Sequence, residues 1–355
     1  MRFTVLLMLF GCPKSGGEPP APVADSVTTS PAVEAPSATT APTPPARSSS
    51  ALDPQPGEAV TLVFDWSAGG TAAVAYEAKA VMVQGDVIAN RTVTVVNRTD
   101  DLSADDEGTR WSLGAGEGST EVHPPMPGGE AMQALMTALS TAPITARADA
   151  EGAFTGTDGL EAYTAQVQAD VDAAATQFGE PMATMIRQQV APMLDTEALE
   201  ADVAAQWQAL VGSYVGLTLD AEAPASQTAP DGATLEVSLL GWVSCDGQTE
   251  ARDCVAVRAV TIPTEQQIEE FAETVRASLA AGTPPGAEPP EIVETTLEDT
   301  IVLVLEPGTL RPWFQEKIRR SGNTLKVGPD APLMGLGRER TFTTTWSWQA
   351  PTDQP

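Results

Sequence analysis

Three cysteines and one histidine are the only thiol and imidazole groups in a chain of 355 residues, so most metal, redox and nucleophilic chemistry must run through very few positions. Cys245 and Cys254 flank the segment DGQTEARD at the ends of two strand-like runs. That spacing suits a hairpin closed by a disulfide, and closing a loop of ~10 residues stabilises a fold by roughly 2.5–3 kcal/mol in the chain-entropy model. A pair of buried thiols is the alternative. A metal site would need further ligands, and His123, in the loop EVHPPMP, stands alone. The run DDLSADDEG at 100–108 has oxygen ligands at alternate positions but lacks the sixth-place glycine and closing glutamate of a calcium loop, so it reads as a solvated hairpin loop. GAGEG at 114–118 lacks the third glycine and following helix of a nucleotide fingerprint. Neither a GxSxG elbow, a phosphate loop, an HExxH helix nor a CxxC pair is present. The 48 acids make some close carboxylate pair inevitable, which removes its diagnostic value for glycoside hydrolysis. No catalytic residue, metal or diffusible cofactor is read from the chain.

The third cysteine has a different setting. The chain begins MRFTVLLMLFGC, where Phe3 to Phe10 supplies eight largely apolar residues against the ~20 that a membrane-spanning helix needs. One cation, a short apolar run and a small residue follow the order of a secretory signal peptide. The tetrad Leu9-Phe10-Gly11-Cys12 resembles the lipobox of bacterial lipoproteins, with a phenylalanine at the second place that is bulkier than usual. That resemblance implies that Cys12 becomes the first residue of the exported protein and carries covalent diacylglycerol and palmitate-type acyl groups. It places the protein in the cell envelope, held to a membrane by lipid. Pro13 stands where inner-membrane retention is associated with aspartate, so the outer membrane is expected.

Residues 13–57 contain eleven prolines among 45 residues and no aromatic side chain. Such a segment cannot bury enough apolar surface to order itself, so 12–57 reads as a lipid-anchored linker, spanning somewhere between ~40 Å as a coil and ~140 Å as polyproline II. Residues 58–350 read as a single domain, with a loop near 212–232 as the only candidate subdivision.

The segments that could position functional groups appear from residue 58 onward. In VTLVFDW, Val60, Leu62, Phe64 and Trp66 alternate with more polar positions, the period-two signature of a half-buried strand. Similar alternation marks 72–83, 92–97, 110–113, 215–219, 235–242, 255–262, 291–305 and 341–348, and the first and last strands are expected in one sheet. Helical spacing aligns Leu160, Tyr163, Val167, Val171, Ala174 and Phe178 on one stripe. Pro181 opens a second helix with Met182, Met185, Ile186 and Met193 inward, and Leu199, Val203, Trp207 and Leu210 form a third stripe. Thr264 and Gln267 form a capping box ahead of Ile268, Phe271, Val275 and Leu279. A short helix is expected at 132–139. The order predicts an α+β fold, a curved antiparallel sheet with amphipathic helices packed on one face.

The formal net charge of −29 disfavours nucleic acid as a partner. Charge is uneven: 157–210 holds nine acids and one base, whereas 311–340 holds seven bases and three acids. The basic region reads as a solvated strand pair, or one packed beside the acidic helices, or as a docking patch for an anionic envelope partner. Two functions follow. The first is a lipid-anchored envelope protein with a non-catalytic interaction or structural role. The alternative is a carrier that holds an acyl chain or other hydrophobic ligand between sheet and helices, with Met182, Met185 and Ile186 facing the ligand. Methionines at helical spacing also serve as ordinary core, and on that ground no stoichiometric lipid is expected.

Overall fold

A computed structural model describes residues 47–85, 87–124, 143–176, 194–229, 231–283, 288–326 and 331–349, together with 183, 184, 187, 188, 190, 191, 286 and 328. The chain is mostly antiparallel β with few helices. Its strands are β1 (Val60–Thr61), β2 (Gly70–Gln84), β3 (Val87–Asp105), β4 (Gly108–Leu113), β5 (Glu117–His123), β6 (Ile144–Ala148) and β7 (Phe154–Asp158). The first two helices, α1 (Leu160–Ala175) and α2 (Thr196–Trp207), follow, and a π-helical turn over Gln208–Gly212 continues α2. Then come β8 (Thr218–Leu219), β9 (Ala225–Thr228), β10 (Thr234–Val243), β11 (Cys254–Ile262), α3 (Glu265–Gly282), β12 (Glu291–Leu305), β13 (Pro312–Lys326) and β14 (Leu333–Trp348).

One open sheet runs β7-β6-β4-β3-β2-β14-β13-β12-β11-β10-β9, and β5 shares the edge of β3 with β4. Strands from both halves of the chain meet where β14 pairs with β2, from Trp348↔Ala72 to Leu336↔Gln84. Residues opposed across an antiparallel pair share a face, so the register reads off which side chains lie together. On one face, here the inner face, Val74, Trp346, Leu303, Leu305, Val257, Val237 and Trp111 pack with Leu62, Trp66, Trp207, Val211 and Tyr214 from the crossing segments. This core sits at one end of the strands, the base. β2, β12 and β13 have 15 residues each, β14 has 16 and β3 has 19, against nine for β11. At ~3.3 Å per residue the long strands reach about 50 Å and run well past the core.

Local chemistry accounts for the helices. Leu160, Tyr163, Val167 and Val171 of α1 are buried with Leu194 and Leu199, as their spacing predicts. Asp195 caps α2 by accepting from the Ala198 N–H at 3.0 Å. The capping box of α3 closes in both directions, Thr264 Oγ1 accepting from the Gln267 N–H and Gln267 Oε1 from the Thr264 N–H. The expected helix at 132–139 lies outside the described residues.

Two expectations need correction. Val60–Trp66 keeps its period of two, with Val60, Leu62 and Trp66 buried and Val63 exposed, but it does not join the large sheet. Only Val60 and Thr61 pair, with β8, and the remainder crosses the inner face by bonds such as Leu62 N–H to Leu217 O. The strand that meets β14 is β2. Secondly, residues 47–57 belong to the folded part: Leu52 packs with Phe314 and Val243, and Gln55 pairs with Trp242. Gly241 permits this approach, since a Cβ there would lie 2.5 Å from the Gln55 carbonyl oxygen. In the basic region 311–340, β13 and β14 pair with each other in the middle of the sheet, the Arg320 side chain on the outer face is 55% exposed, and among the described residues α2 packs on β6 and β7.

Candidate functional site

Beyond the core the inner face changes character. The row of opposed residues nearest the core reads Val257, Leu303, Gln315, Thr344, Tyr76 and Val96. The next reads Ala259, Ile301, Lys317, Phe342, Ala78 and Thr94, and the third Thr261, Asp299, Arg319, Arg340, Ala80 and Thr92. The fourth sets Leu297, Ser321, Arg338 and Met82 together. Lys317, Arg319, Arg338 and Arg340 therefore converge on one patch, with apolar neighbours (Ile301, Phe342, Leu297, Met82) and polar ones (Gln315, Thr344, Ser321, Asn323) along the strands.

Burial makes this band expensive. Arg340 is 7% exposed, and burial together with Arg338 and Arg319 pushes its guanidinium down to about 9. Burial alone pushes Arg338 down to about 10. Lys317 is lowered by burial, with Asp299 acting in the opposite direction. Arg319 donates to Asp299 Oδ2 at 2.6 Å from Nη2 and 3.1 Å from Nε, and Lys317 Nζ approaches the same oxygen at 3.4 Å. Arg319 and Arg340 are directly opposed, an arrangement of like charges that destabilises a strand pair. Among the described residues Asp299 is the one carboxylate the register places within this patch. Arg319 and Lys317 thus share one carboxylate, and guanidinium forks match carboxylate and phosphate oxygens. On the outer face, Arg320 is taken up by Glu339 at 2.7 Å and Glu298 at 3.6 Å. The strand pattern of β13 was weak in the sequence because Gln315, Lys317, Arg319, Ser321 and Asn323 occupy its inward positions; only the partner strands reveal their direction.

A second buried charge lies nearer the base. Asp100 is fully buried and accepts from Arg98 Nε at 2.7 Å, Trp111 Nε1 at 3.2 Å and Trp346 Nε1 at 3.3 Å. It belongs to the DDLSADDEG run, of which Asp105–Glu107 forms the hairpin turn expected and Asp100 is a core residue. No signal in an acid-rich run distinguishes the one carboxylate that folds inward. Among the described residues no three His, Cys, Asp or Glu side chains are grouped to hold a metal.

Cys245 and Cys254 are bonded, with an S–S distance of 2.01 Å. The hairpin they close holds the strap of residues 47–55: Arg47 donates to Cys245 O at 2.6 Å and lies over the Phe314 ring at 5.6 Å. Strap and hairpin enclose a cleft of ≈ 440 Å³ lined by Arg47, Leu52, Val243, Asp246, Thr249 and Arg252 among others. Burial raises the Asp246 carboxyl, but hydrogen bonds from the Gln248 and Thr249 N–H groups and the Ser244 and Thr249 hydroxyls outweigh it and hold it at about 2. In the unfolded, unreduced Cys12→Ser chain, thiol titration should find no reactive group; two reactive thiols would refute the bond. Cys12, Met182, Met185 and Ile186 lie outside the described residues.

No family model matches the chain, and no curated protein matches it. Among solved structures, a lipovitellin chain described for its lipid–protein interactions is similar at a TM-score of 0.37 and 10% identity. The alignment covers 81% of this chain and 26% of the lipovitellin chain, so this chain spans about a quarter of that length.

Proposed function

We propose that the chain is a lipid-anchored protein of the cell envelope whose folded part works by binding rather than by catalysis. The anchor is read from the tetrad ending at Cys12, and the non-catalytic role from a sequence with one histidine and none of the motifs of nucleophilic, nucleotide or zinc chemistry. One observation carries the binding role. The inner face is divided: a filled base, where Trp66, Trp111, Trp207 and Trp346 are each at most 4% exposed, gives way to a half-buried surface with four cations among mixed apolar and polar side chains. A purely structural sheet would place apolar residues there and avoid the desolvation cost. On this reading the sheet curves around its ligand with helices on the inner side, and the tether from Cys12 to residue 46 holds it at the outer membrane.

Cys12→Ser tests the anchor. In cells expressing the full chain, the substitution should abolish incorporation of labelled palmitate and move the protein from the membrane to the soluble fraction. Retention in the membrane with unchanged mass would overturn the lipoprotein reading.

A further inference from the structure

The strap of residues 47–55 joins the expected tether to the sheet, and the disulfide sits at that junction. The ladder between β10 and β11 ends at Val243↔Cys254, so residues 244–253 lie beyond the last strand pair. The Cys245–Cys254 bond ties this loop back to the ladder. Inside the loop, Asp246 accepts from the Gln248 and Thr249 N–H groups at 2.8 and 3.0 Å and from the Ser244 hydroxyl at 2.7 Å. The closed loop in turn grips the strap. Arg47 donates to the carbonyls of Cys245 and Ser244, at 2.6 and 3.4 Å, and Arg252 donates to the Asp53 carbonyl at 2.8 Å. At Gly247 φ is +73°, and a Cβ would lie 3.0 Å from Arg47 Cζ, so the loop closes directly over the guanidinium. Beneath the strap, on the outer face, Val243, Cys254, Ala256, Val304 and Phe314 are at most 3% exposed and pack with Leu52.

We infer that the Cys245–Cys254 bond is a redox latch for the strap: forming it seats residues 47–55 on the sheet, and its reduction by a dithiol releases them while the sheet stays folded. A thiolate of the dithiol attacks Cys245 Sγ, the S–S bond breaks, and Cys254 leaves as a thiolate that takes up a proton. The second thiol of the dithiol then displaces Cys245 as a free thiol. Two electrons and two protons pass to the protein, and the dithiol ends as a disulfide. Cys245 is the sulfur within reach, being half-buried beside the cleft lined by Ser244 and Asp246, whereas Cys254 is 0% exposed. The cleft of ≈ 440 Å³ also separates strap from hairpin between their points of contact, so few bonds must break to lift the strap. The sheet is held independently, since its main core lies on the inner face. After the strap, residues 56–59 are exposed and the next buried side chain is Val60, paired with Leu219. Release therefore frees residues 47–59, which adds roughly 40 Å of extended chain at ~3.1 Å per residue. The latch is a property of the folded part; its effect on the reach of the tether rests on the anchor proposed above, which the Cys12 fractionation judges separately.

The test compares the full chain carrying Cys12→Ser before and after treatment with dithiothreitol, by amide hydrogen exchange and by trypsin. The Gln55 and Trp242 amides each donate to the other's carbonyl, at 3.0 and 2.9 Å, and so report directly on the seated strap. On reduction both should exchange at least ~10-fold faster, while the amides paired between β2 and β14 keep their protection. Trypsin should cut after Arg47 only in the reduced chain, and reoxidation should restore resistance. The double variant Cys245→Ser, Cys254→Ala should behave as the reduced chain without any reductant; if it does not fold, the dithiothreitol comparison decides alone. Faster exchange across the whole sheet on reduction would make the bond a staple of the entire fold and overturn the latch. A strap that stays protected after reduction would overturn it, and so would a bond that dithiothreitol leaves intact in the folded chain.

Discussion

Replacing Asp100 with alanine is expected to destabilise the fold by about 3–5 kcal/mol, the scale for removing one partner of a buried ion pair. The carboxylate has no contact with solvent, and the side chain of Arg98 is 15% exposed. Its loss strands three donors at once: the Arg98 guanidinium and the indole N–H groups of Trp111 and Trp346, which are 4% and 3% exposed. Water cannot replace them without opening the core. The geometry also spans the sheet, since Asp100 and Arg98 lie on β3, Trp111 on β4 and Trp346 on β14, so one carboxylate ties three strands from opposite ends of the chain. Asp100→Asn keeps an acceptor oxygen for the indoles and should cost less than alanine. Urea unfolding of the two variants measures this directly. A loss under about 1 kcal/mol for Asp100→Ala, with an unchanged dependence on urea, would show that the network relaxes and that the buried charge is not structural.

Trp207→Ala should be comparably damaging, at about 3–5 kcal/mol, through the cavity it leaves. Trp207 is 2% exposed and contacts Phe64, Trp66 and Trp111, with ring centroids 6.1, 5.3 and 6.3 Å away. Its Nε1 donates to the Gly152 carbonyl at 2.9 Å, joining the last residue of α2 to the loop before β7. The phenylalanine variants separate packing from hydrogen bonding. Trp207→Phe removes a donor that a buried carbonyl requires, whereas Trp66 Nε1 is buried with no hydrogen-bond partner among the described residues, so Trp66→Phe sacrifices none of the bonds described. The expected order of loss is Trp207→Ala above Trp207→Phe above Trp66→Phe, read from denaturant midpoints. If Trp66→Phe proves worse than Trp207→Phe, ring volume and not the Gly152 bond sets the energetics of this cluster.

The elements that were legible in sequence are those whose two faces differ. β2, β10, β11, β12 and β14 put aliphatic or aromatic residues on the inner face at the base and smaller or polar residues opposite, so period two was visible over much of their length. The stripes of α1 and α3 and the capping box at Thr264 were visible for the same local reason. β13 was not, because polar residues occupy both of its faces, and β5, β6, β7 and β9 are too short or too rich in small residues to show a period. Val60–Trp66 shows the limit of the method. Its alternation correctly predicted which side chains are buried but not what buries them, since an extended segment crossing a sheet and a strand within one expose their side chains alternately in the same way.

Composition and local pattern by themselves determined the acidic surface, the antiparallel α+β character, the cysteine pairing offered by the hairpin, and the lipobox resemblance at Cys12. Each depends on residues close in sequence or on totals over the chain. Register decided the rest. Whether Arg319, Arg338 and Arg340 meet a solvated exterior or the inner face depends on a one-residue phase along strands joined through β2 and β12, and a shift of one would turn them all outward. Whether Asp100 is one acid of a surface loop or the buried acceptor of two tryptophans depends on β14 returning to lie beside β2, more than 240 residues along the chain. A pairing over that separation leaves no local trace, which is why the cationic band and the buried carboxylate emerge only when the sheet is closed.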